Sequence, residues 1–228
     1  LGDTARVPYG SKSPEVVTQY SLRNARFLVA REIELLVVAC NTASAVALPA
    51  LRAALAIPVL GVVEPGARVA ARVTRSGRVG VIGTASTIAS GAYQRALRTA
   101  RPDAQVIAAA CPIFVPLAEE GWTDPDDEVV RAVARRYLAP FRGGAVDTLV
   151  LGCTHYPLLQ AALARELPGV TLVDSAQAIA AEVAERFPPG AATPSRHRFF
   201  VTDTPDRFLA VAERFLGRRV DSAEQVDI

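Results

Sequence analysis

The chain has 228 residues, half of them apolar and 21% charged, so it can build a real core in one large or two small domains, and long disorder is excluded. The formal net charge is only +2. The cations, nearly all arginines with a single Lys12, are interleaved with acids, and no basic stripe of a nucleic-acid binder is present. No apolar run is long enough to span a bilayer and no signal peptide is visible, so no membrane is expected as a partner. The three cysteines, Cys40, Cys111 and Cys153, are odd in number and sparse, which points to reduced thiols in a cytoplasmic protein. No Cys-x-x-Cys or His-x-x-x-His spacing suggests a zinc site. There is no Met, and the opening Leu1-Gly2-Asp3-Thr4 reads like the inside of a domain, so the natural N-terminus is expected to be absent.

In chain order, Ser13-Pro14-Glu15 opens a helix, with Ser as cap, Pro in the first turn and then an acid; the helix should run to about Arg31. Ile33 to Ala39 reads as a buried parallel strand, followed by a helix from Ala43 to Leu55 that Pro49 could kink. Strands are expected at Val59–Val63 and Val79–Gly83, a helix at Ser90–Ala100, and a strand at Gln105–Ala109. Asp124-Pro125-Asp126-Asp127 places acids at the start of the next helix, where the dipole favours them. Then come strand Thr148–Leu151, helix Leu158–Leu167, strand Val170–Val173 and helix Ala176–Arg186. A loop around Phe187-Pro188-Pro189-Gly190, strand Arg198–Val201 and helix Pro205–Leu216 finish the chain. Such alternation predicts an α/β fold with parallel strands covered on both faces, and ligands beyond their carboxyl ends.

One internal echo stands out there. Leu36-Val37-Val38-Ala39-Cys40-Asn41-Thr42 is similar to Leu149-Val150-Leu151-Gly152-Cys153-Thr154-His155. Each is an apolar strand, a small residue, a Cys and polar residues leading into a helix. The repetition predicts two similar α/β units, each presenting one thiol. A helix N-terminus favours a thiolate and can hold a carboxylate. A single copy could serve a cysteine hydrolase, but that leaves the second without a purpose. Two copies suit inversion at carbon, with one thiolate removing a proton and the other thiol returning one to the opposite face. Asn41, Thr42, Thr154 and backbone N–H groups are candidate donors for the developing negative charge. No lysine is placed for pyridoxal phosphate, so no cofactor is expected.

Other candidates have plainer readings. Cys111, ahead of Pro112-Ile113-Phe114-Val115, reads as core, and His197 as structural or exposed. Glu119-Glu120 would ordinarily be a solvated loop face. Gly80-Val81-Ile82-Gly83-Thr84 lacks both the full dinucleotide fingerprint and the phosphate-loop lysine.

These motifs resemble the glutamate racemases of the aspartate/glutamate racemase superfamily. The matching stretches are Gly2 to Lys12, Val38 to Ala45, Gly61 to Gly66, Ile82-Gly83-Thr84, Ser90 to Tyr93, Cys111-Pro112 with Pro116 to Gly121, and Leu151 to Leu159. The resemblance implies two α/β domains facing each other across the active site. Residues 1–64 and 174–228 would form one domain and residues 65–173 the other. It implies cofactor-independent interconversion of L- and D-glutamate for peptidoglycan, in the cytoplasm, by a homodimer. Cys40 and Cys153 would be the acid/base pair, with His155 assisting Cys153 and Glu119, or its neighbour Glu120, on the same side, while Tyr9, Gly10, Asn41, Thr42 and Thr154 hold substrate. Family members begin with a strand and an Asp-Ser-Gly motif that this sequence lacks. The chain is therefore expected to be a racemase fragment of weak or no activity. A neighbouring superfamily enzyme acting on aspartate, a hydantoin or a malonate, and a non-catalytic binding protein, are the alternatives.

Overall fold

The computed structural model describes residues 1–188 and 196–228. After two short 3-10 turns, Ser13 caps helix α1 (Pro14–Val29), its side chain accepting from the Val16 N–H. Strand β1 (Leu36–Val38) delivers the chain to helix α2 (Asn41–Val46) and then α3 (Leu48–Ala54). Strand β2 (Val59–Gly61) pairs in parallel with β1 and leads into helix α4 (Val63–Val73).

The middle of the chain builds the largest sheet. Strand β3 (Arg78–Gly83) is followed by helices α5 (Ala85–Ala89) and α6 (Ala92–Ala100) and strand β4 (Gln105–Ala110). Helices α7 (Phe114–Glu120) and α8 (Glu128–Leu138) come next, then strand β5 (Thr148–Gly152), helix α9 (Gln160–Glu166) and strand β6 (Thr171–Asp174). The four strands are all parallel, in the order β4-β3-β5-β6. Successive residues of β5 feed opposite faces, as the two-residue period of a strand requires. Leu149 and Leu151 join Ile82, Phe114, Phe141 and Tyr156 on one side. Val150 joins Val79, Val81, Tyr93 and Leu97 on the other.

Helix α10 (Ser175–Arg186) starts directly from β6. Strand β7 (Phe200–Val201), helix α11 (Pro205–Leu216) and strand β8 (Glu224–Gln225) complete the fold, with β7 parallel to β8. Gly2 bridges to Val201 on the other side of β7, its N–H donating to the Phe200 carbonyl at 2.8 Å. Among the described residues, no helix is long and apolar enough to cross a membrane.

Several expected boundaries move, each for a local reason. The helix expected at Ala43–Leu55 is two helices rather than one kinked helix, split at Ala47 just before Pro49, which has no N–H to return to the preceding turn. The strand expected to reach Val63 stops at Gly61, because Glu64 and Pro65 suit the first turn of α4. Ser90 ends α5 instead of opening a helix, and Gly91, left-handed at φ 65°, separates it from α6. The strand expected at Ile33–Ala39 narrows to three residues, and that at Arg198–Val201 to two. Glu119 and Glu120 lie at the end of a helix, not in a loop; Pro116 sits in its first turn and left-handed Gly121 closes it. Pro189 and Gly190 of the expected loop lie outside the described residues.

Asp147 clamps the entry to β5. Its carboxylate accepts from Thr74 Oγ1 (2.6 Å), Arg75 N (2.9 Å), Ser76 N (2.6 Å) and Thr148 Oγ1 (2.9 Å). Partial burial alone would raise this carboxyl, but the bonds from Thr74, Ser76 and Thr148 outweigh it and hold it below the usual range. A depressed native pKa contributes stability that is present above the unfolded value of about 4 and lost as pH falls through the native one. Asp147→Asn should therefore destabilise the protein at pH 7 by about 1–2 kcal/mol, with the deficit shrinking in urea titrations carried below pH 4. A deficit independent of pH would contradict this account.

Candidate active site

Cys40 stands between β1 and α2, as the capping residue of the helix, with an extended backbone (φ −73°, ψ 121°). Its side chain accepts no capping hydrogen bond as it stands. Burial raises its pKa; the Ala43 and Thr42 N–H groups and the Thr42 hydroxyl oppose this by favouring a thiolate. Cys153 follows β5 in the same way and is 6% exposed. Burial pushes its thiol up to about 12, against the His155 N–H, which favours the thiolate. Negative charge on Cys40 and on Glu119 raises it further. Charge on Cys40 therefore disfavours charge on Cys153.

Cys40 and Cys153 both line one cavity of about 790 Å³, together with Tyr9, Gly10, Asn41, Thr42, Glu119, Thr154 and His155. The Thr154 hydroxyl donates to the Ala39 carbonyl at 3.1 Å, tying the residue after one cysteine to the residue before the other. Cys111 is buried elsewhere, in the core beside Phe114 and Tyr156, and His197 is exposed and away from the cavity.

Glu119 and His155 form a line toward Cys153. Glu119 Oε1 is 3.2 Å from His155 Nε2, and His155 Nδ1 is 3.8 Å from the Cys153 sulfur. Burial lowers the histidine pKa, opposed by the Glu119 charge and its hydrogen bond. A neutral ring beside a carboxylate donates its Nε2 proton there, which leaves the Nδ1 lone pair facing the thiol. Glu120 instead turns outward, with Arg207 at 3.8 Å. Helix α11 covers this line. Arg207 donates to Glu119 Oε2 at 3.1 Å, Arg214 donates to the Glu119 carbonyl, and the Phe215 ring stands edge-on to His155.

The opposite wall is polar and tightly packed. The hydroxyls of Thr42, Thr84 and Thr87 form a buried triangle with sides of 2.9, 3.1 and 2.9 Å. Gly10 packs so close that a Cβ there would sit 2.6 Å from Thr84 Cβ, so the approach requires glycine. The Tyr9 hydroxyl donates to Asp3 and accepts from Asn24 Nδ2 at 3.1 Å. The Asn41 side chain is less free than its sequence position suggests. Its Oδ1 accepts from the Tyr93 hydroxyl at 2.6 Å, and its Nδ2 lies 3.3 Å from Ser175 Oγ. Among the described residues, its second amide hydrogen has no partner.

Sequence reasoning did not single out Asp3, Asn24, Thr84 or Phe215 for this cavity. Thr84 could have been found, because it follows β3 as the cysteines follow β1 and β5, where parallel sheets place their sites.

The sequence signature of the Asp/Glu/Hydantoin racemases matches residues 2–183. The chain belongs to the Asp/Glu/hydantoin racemase family. It is 56% identical to the glutamate racemase of Geobacter metallireducens, over 100% of this chain and 86% of that protein. The glutamate racemase of Aquifex aeolicus is 46% identical, over 97% of this chain and 84% of that one. Among solved structures, a glutamate racemase isoform from Bacillus anthracis superposes with a TM-score of 0.92 at 40% identity, covering 100% of this chain and 86% of that one. The Francisella tularensis glutamate racemase, solved with D-glutamate, gives 0.89 at 35% identity, covering 99% and 86%.

Glu119→Gln removes the charge that holds the His155 pKa up and leaves only a weaker, neutral acceptor for its Nε2–H. The ring should then titrate at still lower pH in NMR spectra of its Cε1–H signal. An unchanged or higher midpoint would separate the two groups electrostatically.

Proposed function

We propose that this chain is a cofactor-independent glutamate racemase, interconverting L- and D-glutamate by proton transfer at Cα between Cys40 and Cys153. One observation carries the reading: Cys40 and Cys153 line a single cavity, where negative charge on one thiol disfavours charge on its neighbour. A pair that resists double ionisation supplies one base and one acid, which inversion of a carbon centre needs. The thiolate takes the Cα proton from one face while the other thiol donates to the opposite face. The pair ends with its charges exchanged, ready for the reverse reaction.

His155, oriented by Glu119, accepts and returns the Cys153 proton. The N–H groups at the start of α2 and after Cys153 hold the substrate carboxylates, with Thr42, Thr154, Tyr9 and Gly10 completing the walls. Glutamate as substrate is supported by the relatives named above, several of them matching from end to end of this chain. The same relationship supports supply of D-glutamate to peptidoglycan, a cytoplasmic location and a homodimer. We also place the division of the two α/β halves at 64/65 and 173/174, with the site between them.

The test is incubation with L-glutamate, and separately D-glutamate, in heavy water, following deuterium at Cα by NMR. Exchange and racemisation are expected in both directions, in place of the weak or absent activity expected from the sequence, because glutamate racemases match this chain over its whole length. Cys40→Ser and Cys153→Ser should each lower racemisation by roughly 10²–10⁴-fold. Absence of exchange from both enantiomers in the folded protein would overturn the reading. Because burial raises both thiol pKa values, both groups are protonated at neutral pH in the free protein, and the thiolate fraction grows with pH. kcat/KM should therefore climb between about pH 7 and 9 instead of falling, since the thiolate is the reactive form. A flat or declining profile would show that neither thiol limits the reaction as its base.

A further inference from the structure

Tyr93 is 1% exposed, yet its hydroxyl is not merely a satisfied core group. It belongs to α6 and touches neither thiol directly, but it reaches the backbone beside both. The hydroxyl donates at 2.6 Å to Oδ1 of Asn41, the residue after Cys40. The ring lies against Gly152, the residue before Cys153, where an added Cβ would meet Tyr93 Cε2 at 3.0 Å and the Ile82 carbonyl oxygen at 2.6 Å. Ser175, at the start of α10, closes the knot. Its Oγ lies 3.3 Å from Asn41 Nδ2 and donates at 3.4 Å to the Leu151 carbonyl of β5. All three side chains are buried, so water does not compete for these bonds.

We propose that Tyr93 is a positioning residue for the two-thiol reaction, holding the Cys40 turn through its hydroxyl and the Cys153 turn through its ring. This rests on the racemase reading for its effect on rate, though not for its effect on the thiols. The geometry divides the labour. The hydroxyl fixes the Asn41 carboxamide, and with it the first turn of α2, whose Thr42 and Ala43 N–H groups face Cys40. The ring fills the space that Gly152 leaves open, and so sets how far β5 can move toward α6. Two thiols serving opposite faces of one carbon must keep a fixed separation, and a rigid aromatic ring between their turns supplies it.

The experiment compares Tyr93→Phe and Ser175→Ala with the unmodified chain by two readouts. The first is the alkylation rate of each cysteine with iodoacetamide from pH 6 to 10, assigned by peptide mass spectrometry. The second is racemisation of glutamate. Tyr93→Phe keeps the ring and loses only the hydroxyl. Cys40 alkylation at pH 8 should fall roughly tenfold, equivalent to one unit of titration, while the Cys153 profile stays in place. Ser175→Ala should shift Cys40 in the same sense. kcat should fall roughly ten- to a hundredfold, with KM changed by less than about threefold, as expected for misplacement by a fraction of an ångström. A residue that only fills the core would move both cysteine profiles together or neither. Unchanged Cys40 alkylation in both variants would overturn the proposal, as would equal shifts at the two cysteines. Should the unmodified chain not racemise glutamate, that reading fails while the alkylation profiles still decide the role of Tyr93.

Discussion

Two thiols in one cavity, Cys153 buried and Cys40 half-buried, are the constraint on which this structure turns. Desolvation raises both pKa values, and negative charge on Cys40 raises that of Cys153 further. The surrounding groups reduce that cost in different ways. Around Cys40 the help comes from backbone N–H groups at the start of α2 and from the Thr42 hydroxyl. Around Cys153 it comes from the His155 N–H, while the free nitrogen of the imidazole faces the sulfur as a proton acceptor. One side is held by the backbone and the other by a side-chain relay, although the sequence motifs look alike. The two cysteine turns are similar in backbone placement and different in electrostatics.

The parallel strands make this arrangement possible. β1 and β5 end at the same cavity, and both pass through a small residue before the cysteine, Ala39 in one case and Gly152 in the other. Gly152 is needed because its neighbours on β3 approach within a distance that no Cβ tolerates. The clamp at Asp147 fixes the far end of the same strand. Strand β5 is thus pinned at its start by a charged group and at its finish by close contact.

The cysteine turns were legible in the sequence because an apolar run followed by a small residue and a polar cluster is a local signal. So were most strands of the large sheet, whose buried positions are branched and continuous. Helices α4 and α7 were not expected from the sequence, and each carries a proline in its first turn, Pro65 and Pro116. Strand β8 was invisible because its two residues, Glu224 and Gln225, are exposed and pair only through the backbone. Choosing Glu119 over Glu120 as the partner of His155 depends on helical phase and on α11, which arrives from far along the chain. The commitment of the Asn41 amide to Tyr93 and Ser175 is likewise tertiary, and a motif could show only the residue type.

The triangle of threonine hydroxyls has a consequence for how the protein answers a change of charge. Three hydroxyls share three protons, and each can point to either neighbour, so the ring can run clockwise or anticlockwise with its oxygens in place. A charged sulfur beside Thr42 breaks the tie by drawing that proton out of the ring. The remaining two bonds then align behind it. The wall behind Cys40 can thus turn its dipoles toward or away from the sulfur by rotating light atoms alone. A catalyst that must run equally well in both directions gains from this, since neither charge state requires the heavy-atom frame to be rebuilt.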